Sequence, residues 1–137
     1  MDPGPTAIGP EEFILRRIHK SHADPKQPLA ILPVAFRPTK EDLVGLSVYR
    51  RALVSPEQVD RAGRKPGEYY VVALSVKTLS TLNLSVIPDE QEGSPPGHAL
   101  IPELCLSAYQ KNKERLKDVQ IDLARLASQA IVLLPKS

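Results

Sequence analysis

The sequence predicts an α+β domain: a small mixed β-sheet of about 4–5 strands, with short helices and a long C-terminal amphipathic helix. Three observations carry that expectation. Tyr69 to Val76, YYVVALSV, is a nearly unbroken run of apolar or small residues, the pattern of a strand buried on both faces. Shorter apolar runs surround it, at Leu29 to Phe36, Leu46 to Arg51, Leu84 to Ile87 and His98 to Leu104, with turn-forming residues between them. Toward the C-terminus, Tyr109, Asn112, Leu116, Val119, Leu123, Leu126 and Ala130 recur at spacings of three and four, a single stripe along a helix from about Ser107 to Ile131.

In chain order, residues 1–10, rich in proline and glycine, read as a flexible tail, and residues 11–137 as a single domain. Pro10, Glu11 and Glu12 are predicted to open a helix, since proline and acidic side chains suit a first turn. Phe13, Ile14, Leu15 and Ile18 supply its apolar face, and Ser21 to Pro28 forms the loop after it. Leu29 to Phe36 reads as a strand, placed at an edge or bulge by Pro33. Thr39 to Asp42 has the spacing of a capped turn. Gly45 permits a close backbone approach.

Leu46, Val48 and Arg50 then face one way along a strand, and Ser47, Tyr49 and Arg51 form its polar face. Ser55-Pro56-Glu57 starts a short helix that ends at Gly63, with Val59 and Ala62 as its apolar contacts. Arg64 to Gly67 is a basic turn. Val76 to Leu82 makes a brief helix before the strand Leu84 to Ile87, a connection able to pair its two flanking strands in parallel. Pro88 to Gly97 is an exposed loop. At about 1.5 Å per residue the C-terminal helix is about 37 Å long, more than a small sheet needs, so its lysine-rich first half projects or meets a partner. The closing VLLP packs back on the sheet or adds an edge strand.

Composition narrows the function classes. Aromatics make up 4% of the 137 residues and tryptophan is absent, so the core rests on Leu, Ile, Val and Ala; 14 prolines imply many stiff connections. A net charge of +2, with both signs interspersed, lacks the basic stripe and interleaved aromatics of a nucleic-acid module. No apolar run approaches the roughly 20 residues of a membrane span, and the first residues lack a signal-peptide pattern. Cys105, the one cysteine, lies in the apolar context ELCLSA and reads as a small core residue in a reducing compartment, so a cytoplasmic protein is expected. His19 and His22 have no third ligand nearby and read as solvated, so neither a metal nor a cofactor is expected.

Candidate site residues concentrate in Leu32 to Arg51, LPVAFRPTKEDLVGLSVYRR. Arg37, Ser47 and Arg50, joined by His98 at the mouth of its strand, are the candidate ligand-binding residues for an anionic, nucleotide-like molecule. Asp42 and His98 are the catalytic candidates, able to handle a proton, and Tyr49 stands beside them. An enzyme requires Arg37, Asp42, Arg50 and His98 to meet in one concavity. No GxSxG elbow, Walker loop, Rossmann fingerprint or HExxH is present.

The favoured reading is therefore a non-catalytic binding or regulatory accessory subunit acting through protein–protein contacts. Lys111, Lys113, Arg115 and Lys117 on the C-terminal helix are its expected partner-binding residues, and an exposed edge strand is a second contact surface. The alternative is a small enzyme or ligand-binding domain using Arg37, Arg50 and His98. A further alternative is weak nucleic-acid binding, if Arg16, Arg17, Lys20, Arg50, Arg51, Arg61, Arg64 and Lys65 cluster.

Phe36-Arg-Pro, Asp42, Gly45-Leu-Ser-Val48 and Arg50, with Gly97-His-Ala-Leu-Ile101-Pro far downstream, form a pattern that resembles a group of small bacterial proteins to which no activity is assigned. The resemblance spans roughly residues 31–104. Members often carry a polar residue before the glycine, where this chain has Val44. The resemblance implies a bacterial cytosolic protein that is an accessory part of a multigene system such as phage defence, and it implies that His98 neighbours the strand motif in space.

Overall fold

Phe13–His19 is the strand against which the rest of the sheet is laid. The computed structural model describes residues 7–24 and 26–136. In it this strand, β1, runs in register with β5 (Tyr69–Ser75) along all 7 of its residues. The helix expected here is thus a strand. FILRRIH suits a helical stripe, but as a strand it sends Ile14 and Ile18 to one face and Leu15 to the other, and all three are buried. The acidic residues ahead of it form a turn instead. The Glu12 N–H donates to the Gly9 carbonyl at 3.1 Å, and the Glu12 carboxylate accepts from the Gly9 N–H at 3.0 Å.

The remaining strands are β2 (Ala23–Asp24), β3 (Gln27–Ile31), β4 (Leu46–Arg50), β6 (Ile87–Pro88), β7 (His98–Ile101) and β8 (Ile131–Leu133). The helices are α1 (Pro56–Arg61), α2 (Val76–Thr81), α3 (Leu106–Lys111) and α4 (Lys113–Ser128). The main sheet has order β6-β7-β4-β1-β5-β8, and β2 and β3 form a separate ribbon. The α+β class holds. The sheet has six strands where about 4–5 were expected, and its described pairings are all antiparallel where a mixed sheet was expected.

The expected parallel β–α–β unit does not form. A crossover needs a dozen or more residues, and α2 has 6; β6 pairs instead with β7 at the far edge. Leu84 and Val86 are buried outside any strand. The closing VLLP does add an edge strand, β8, on β5.

Both faces of the sheet are covered. On one, Ile14, Ile18, Val48 and Val72 pack with Phe36, Leu116 and Leu123, beneath α4 and a 3₁₀ turn at Pro33–Phe36. On the other, Leu15, Tyr49, Val71 and Ala73 pack with Val54 and Val59 beside α1. The polar face expected for β4 is therefore interior at Tyr49, which is 7% exposed. The α1 start matches expectation, with Ser55 as N-cap and proline in the first turn, and Gln58 adds a reciprocal capping box that was not expected. Val59 is buried, whereas Ala62, expected as an apolar contact, is exposed.

The strand expected over Leu29 to Phe36 is divided. Its first part belongs to β3, and Pro33 then opens the 3₁₀ turn, where its missing N–H costs nothing. The long C-terminal helix is also divided. Asn112 has φ −137° and ψ 53°, outside helical values, and separates α3 from α4. The change of direction lets Tyr109 on α3 and Leu116, Val119, Leu123 and Ala127 on α4 all reach the core. Of the expected tail, residues 1–6 lie outside the described residues. Ile8 packs on the core, and the Pro10 carbonyl accepts from the Lys77 N–H at 3.2 Å.

One buried polar group on α4 is unsatisfied among the described residues: Gln120, 4% exposed, whose Nε2 has no hydrogen-bond partner. An amide buried in this way costs about 1–3 kcal/mol, which an apolar side chain of similar shape avoids. Gln120→Met is expected to raise the thermal midpoint by several degrees in a calorimetric scan, and an unchanged or lowered midpoint contradicts the orphaned amide.

Candidate functional site

The sheet opens in its middle. β1 is paired with β5 along its whole length, and β4 with β7 from Leu46 to Tyr49. Yet β1 and β4 share only the pairs Ile14↔Arg50 and Leu15↔Tyr49. Beyond Leu15 the two strands diverge, and the Arg16 side chain spans the opening. Its Nη1–H donates to the Ser47 carbonyl at 2.8 Å, while Nε–H and Nη2–H donate to the Ala35 carbonyl at 3.3 and 3.0 Å. The guanidinium lies 5.8 Å from the centre of the Phe36 ring. Carbonyls and a ring thus hold this cation where a sheet would ordinarily place a backbone ladder.

The electrostatic state of Arg16 follows. Desolvation lowers its pKa to about 10; Asp42 acts in the opposite sense, and the neighbouring Arg17 adds to the lowering. Desolvation wins, but the group stays charged at neutral pH.

This opening forms the floor of a groove of about 740 Å³. Its wall is the segment from Val34 to Asp42. Four cations line it (Arg16, Arg17, Arg37 and Lys40), together with two carboxylates, Glu41 and Asp42. Glu41 is taken by Arg64 at 2.9 Å, an exposed pair. Asp42 is committed to its own turn: its Oδ2 accepts from the Thr39 N–H at 2.8 Å and from the Thr39 hydroxyl at 3.1 Å. The expected capped turn is therefore present, as a tight loop rather than a helix.

Arg37 is exposed and lies over the Tyr109 ring at 5.4 Å, and Arg17 lies over the Tyr69 ring at the same distance while donating to the Val59 carbonyl. Among the described residues, none of Arg16, Arg17 and Arg37 forms an ion pair. His22 also lines the groove. Burial, helped by His19 and Arg16, holds its pKa below the ordinary histidine value.

Of the expected site residues, the groove gathers Arg37, Asp42 and Ser47 and excludes Arg50 and His98. Arg50 is buried, and its Nε–H and Nη2–H donate to the two Glu12 carboxylate oxygens at 2.9 and 2.7 Å. His98 sits opposite Tyr49 in the β4–β7 ladder, 3% exposed, with its ring edge-on to the tyrosine. Its Nδ1 meets the Asp89 carbonyl at 2.8 Å and the Asp89 carboxylate at 3.1 Å, so Nδ1 carries a proton and donates it there. Asp89 and His98 together tie the 89–97 loop to β7.

The four residues that an enzyme was expected to bring together are thus split among three places: Arg37 and Asp42 in the groove, Arg50 against Glu12, and His98 against Asp89 on the opposite face of the sheet. The helix and exit loop expected over this segment give Arg16, Arg17 and His22 no place in a site; as parts of β1 and the turn after it, they line the groove. The available signal was an Arg-Arg pair between apolar residues, which in a strand forces one arginine toward the interior on each face.

Lys111, Lys113, Arg115 and Lys117 are exposed and flank the Asn112 break. Cys105 is half-buried at the cap of α3 rather than in the core. The Ser107 hydroxyl and the Ala108 N–H hold its thiol below the ordinary value. The basic residues considered for nucleic acid do not present one free surface, since Arg50 is taken by Glu12 and Arg64 by Glu41. Among the described residues no group of three or more His, Cys, Asp or Glu is placed to hold a metal, and no helix is long and apolar enough to cross a membrane. Comparison of the chain with protein-family models, curated proteins and solved structures finds no match.

The Arg50–Glu12 pair has a testable consequence for stability. Hydrogen bonds from Arg50 hold the Glu12 carboxyl below its ordinary value of 4.5. The folded value being the lower one, the pair's contribution is complete above pH 4.5 and is lost as pH falls through the folded value. Glu12→Gln leaves a buried guanidinium short of its charge partner and is expected to cost about 2–3 kcal/mol at neutral pH in urea unfolding, shrinking toward zero in acid. A cost that persists undiminished in acid contradicts the assignment.

Proposed function

We propose that the protein is a non-catalytic binding module, an accessory partner that recognises an anionic group in the groove between β1 and β4. The observation that carries this reading is the way its arginines are held. Arg16, Arg17 and Arg37 line one concavity, and each is supported by carbonyl oxygens or an aromatic ring with no carboxylate ion pair among the described residues. Such a set is oriented but not neutralised. A bound anion would offset by its charge the desolvation that depresses the Arg16 pKa, and the exposed Arg37 at the rim would offer it a forked pair of N–H donors.

Catalysis draws less support. Asp42 is committed to Thr39 and His98 to Asp89, so neither is placed to move a proton on a molecule in the groove. The resemblance of the Phe36-Arg-Pro and Gly97-His-Ala-Leu-Ile101-Pro motifs to small bacterial proteins supports a cytoplasmic setting for the module. There it would serve as an accessory part of a multiprotein system such as phage defence.

Calorimetric titration with inorganic pyrophosphate at low ionic strength tests the reading. Binding is expected, weakening as salt is raised. Arg37→Ala is expected to lower the affinity about tenfold, the worth of one charge-assisted contact, while leaving the thermal midpoint nearly unchanged because the side chain is exposed. No binding, or an affinity indifferent to Arg37, overturns it.

A further inference from the structure

Beside the groove, the loop that ends its wall presents two bare aliphatic side chains. Leu43 and Val44 are 68% and 69% exposed, the highest values among the described large apolar residues; Leu134 follows at 54%. They do not dangle. On one side, the Asp42 carbonyl accepts from the Leu106 N–H at 3.0 Å, which pins the loop to the start of α3. On the other, Gly45 has φ +144°, and a Cβ there would meet the Ile101 carbonyl oxygen at 2.8 Å. Only glycine lets the chain press so closely on the end of β7. Between these two anchors, Leu43 and Val44 form a short apolar knuckle. Asp42, immediately before it, and Ser47, three residues after it, belong to the groove.

A small inorganic anion has no use for such a knuckle. A polypeptide does: an acidic side chain fits the arginines, and an aliphatic residue beside it covers Leu43 and Val44. We propose that the occupant of the groove is a segment of a partner protein that carries an aspartate or glutamate next to a leucine, isoleucine or valine. The proposal rests on the anion-binding reading above and adds to it the chemical class of the ligand. Charge selects the carboxylate, since Arg16, Arg37 and Lys40 face the groove and its own two carboxylates are taken by Arg64 and Thr39. The exposed aliphatic pair selects the second residue, because burying it against a like side chain removes apolar surface from water on both partners.

The test uses the full chain and short fluorescent peptides, one with alternating glutamate and leucine and one with serine in place of leucine. The leucine peptide is expected to bind about tenfold more tightly than the serine peptide, a difference that corresponds to burying one or two methylene groups. Pyrophosphate is expected to displace both. In the double variant Leu43→Ser, Val44→Ser the tenfold advantage is expected to vanish while the affinity for pyrophosphate stays as it was; both side chains are exposed, so folding is not at stake.

Equal binding of the two peptides, or a leucine advantage that survives the double variant, overturns the inference and leaves the anion reading standing if pyrophosphate still binds. Binding to phosphatidylserine vesicles that depends on Leu43 and Val44, with no peptide bound, assigns the knuckle to a membrane surface and also overturns it. Failure of every anion, pyrophosphate included, ends both the inference and the reading beneath it.

Discussion

The contact on which the groove depends is the Arg16 guanidinium, set between the Ser47 and Ala35 carbonyls where β1 and β4 part. A continuous ladder there would close the sheet and leave no concavity. A cation is a costly filler for such a place. Its lowered pKa records the desolvation, and three hydrogen bonds with a ring contact make the arrangement tolerable without removing the charge. The same residue therefore closes the gap between the strands and leaves a positive potential at its mouth.

Everything around the opening is stiffened. Phe36 is fully buried and carries Ala35, an Arg16 acceptor, on the same 3₁₀ turn beneath α4. Thr39 and Asp42 fasten the next loop to itself, and Gly45 clamps its far end on β7. Arg50 with Glu12 and His98 with Asp89 perform the corresponding service away from the groove, joining β4 to the turn before β1 and β7 to its preceding loop. Charged and titratable side chains here are mostly fasteners, and the three groove arginines stand apart in forming no ion pair among the described residues.

How much of this was legible in the sequence varied with the kind of interaction involved. β5 was plain, because YYVVALSV is apolar at nearly every position and its burial on both faces matches that run. The start of α1 at Ser55-Pro56 and the close approach at Gly45 were also plain, since each depends on the residue types at the spot. β1 was obscured because FILRRIH fits a period of two or of 3.6 about equally well, and the deciding factor was seven long-range pairs with β5. Arg50 and His98 looked unoccupied because their partners, Glu12 and Asp89, lie in segments read as a helix start and a loose loop. Arg37, Asp42 and Ser47 do meet in the groove, but its deepest cation, Arg16, comes from the strand mistaken for a helix. Local chemistry can be read from a chain; which distant carboxylate reaches which arginine is decided by topology.

The most direct measurement of the central claim is side-chain NMR of the arginine N–H groups while pyrophosphate is added. The Arg16 Nε and Nη protons, held by Ser47 and Ala35, are expected to be visible in the free protein through slow exchange with solvent, to shift as the anion binds, and to exchange more slowly still. Shifts confined to Arg17 and Arg37, with Arg16 unmoved, would show that the cation between β1 and β4 is only a structural brace and that the groove does not bind through its floor.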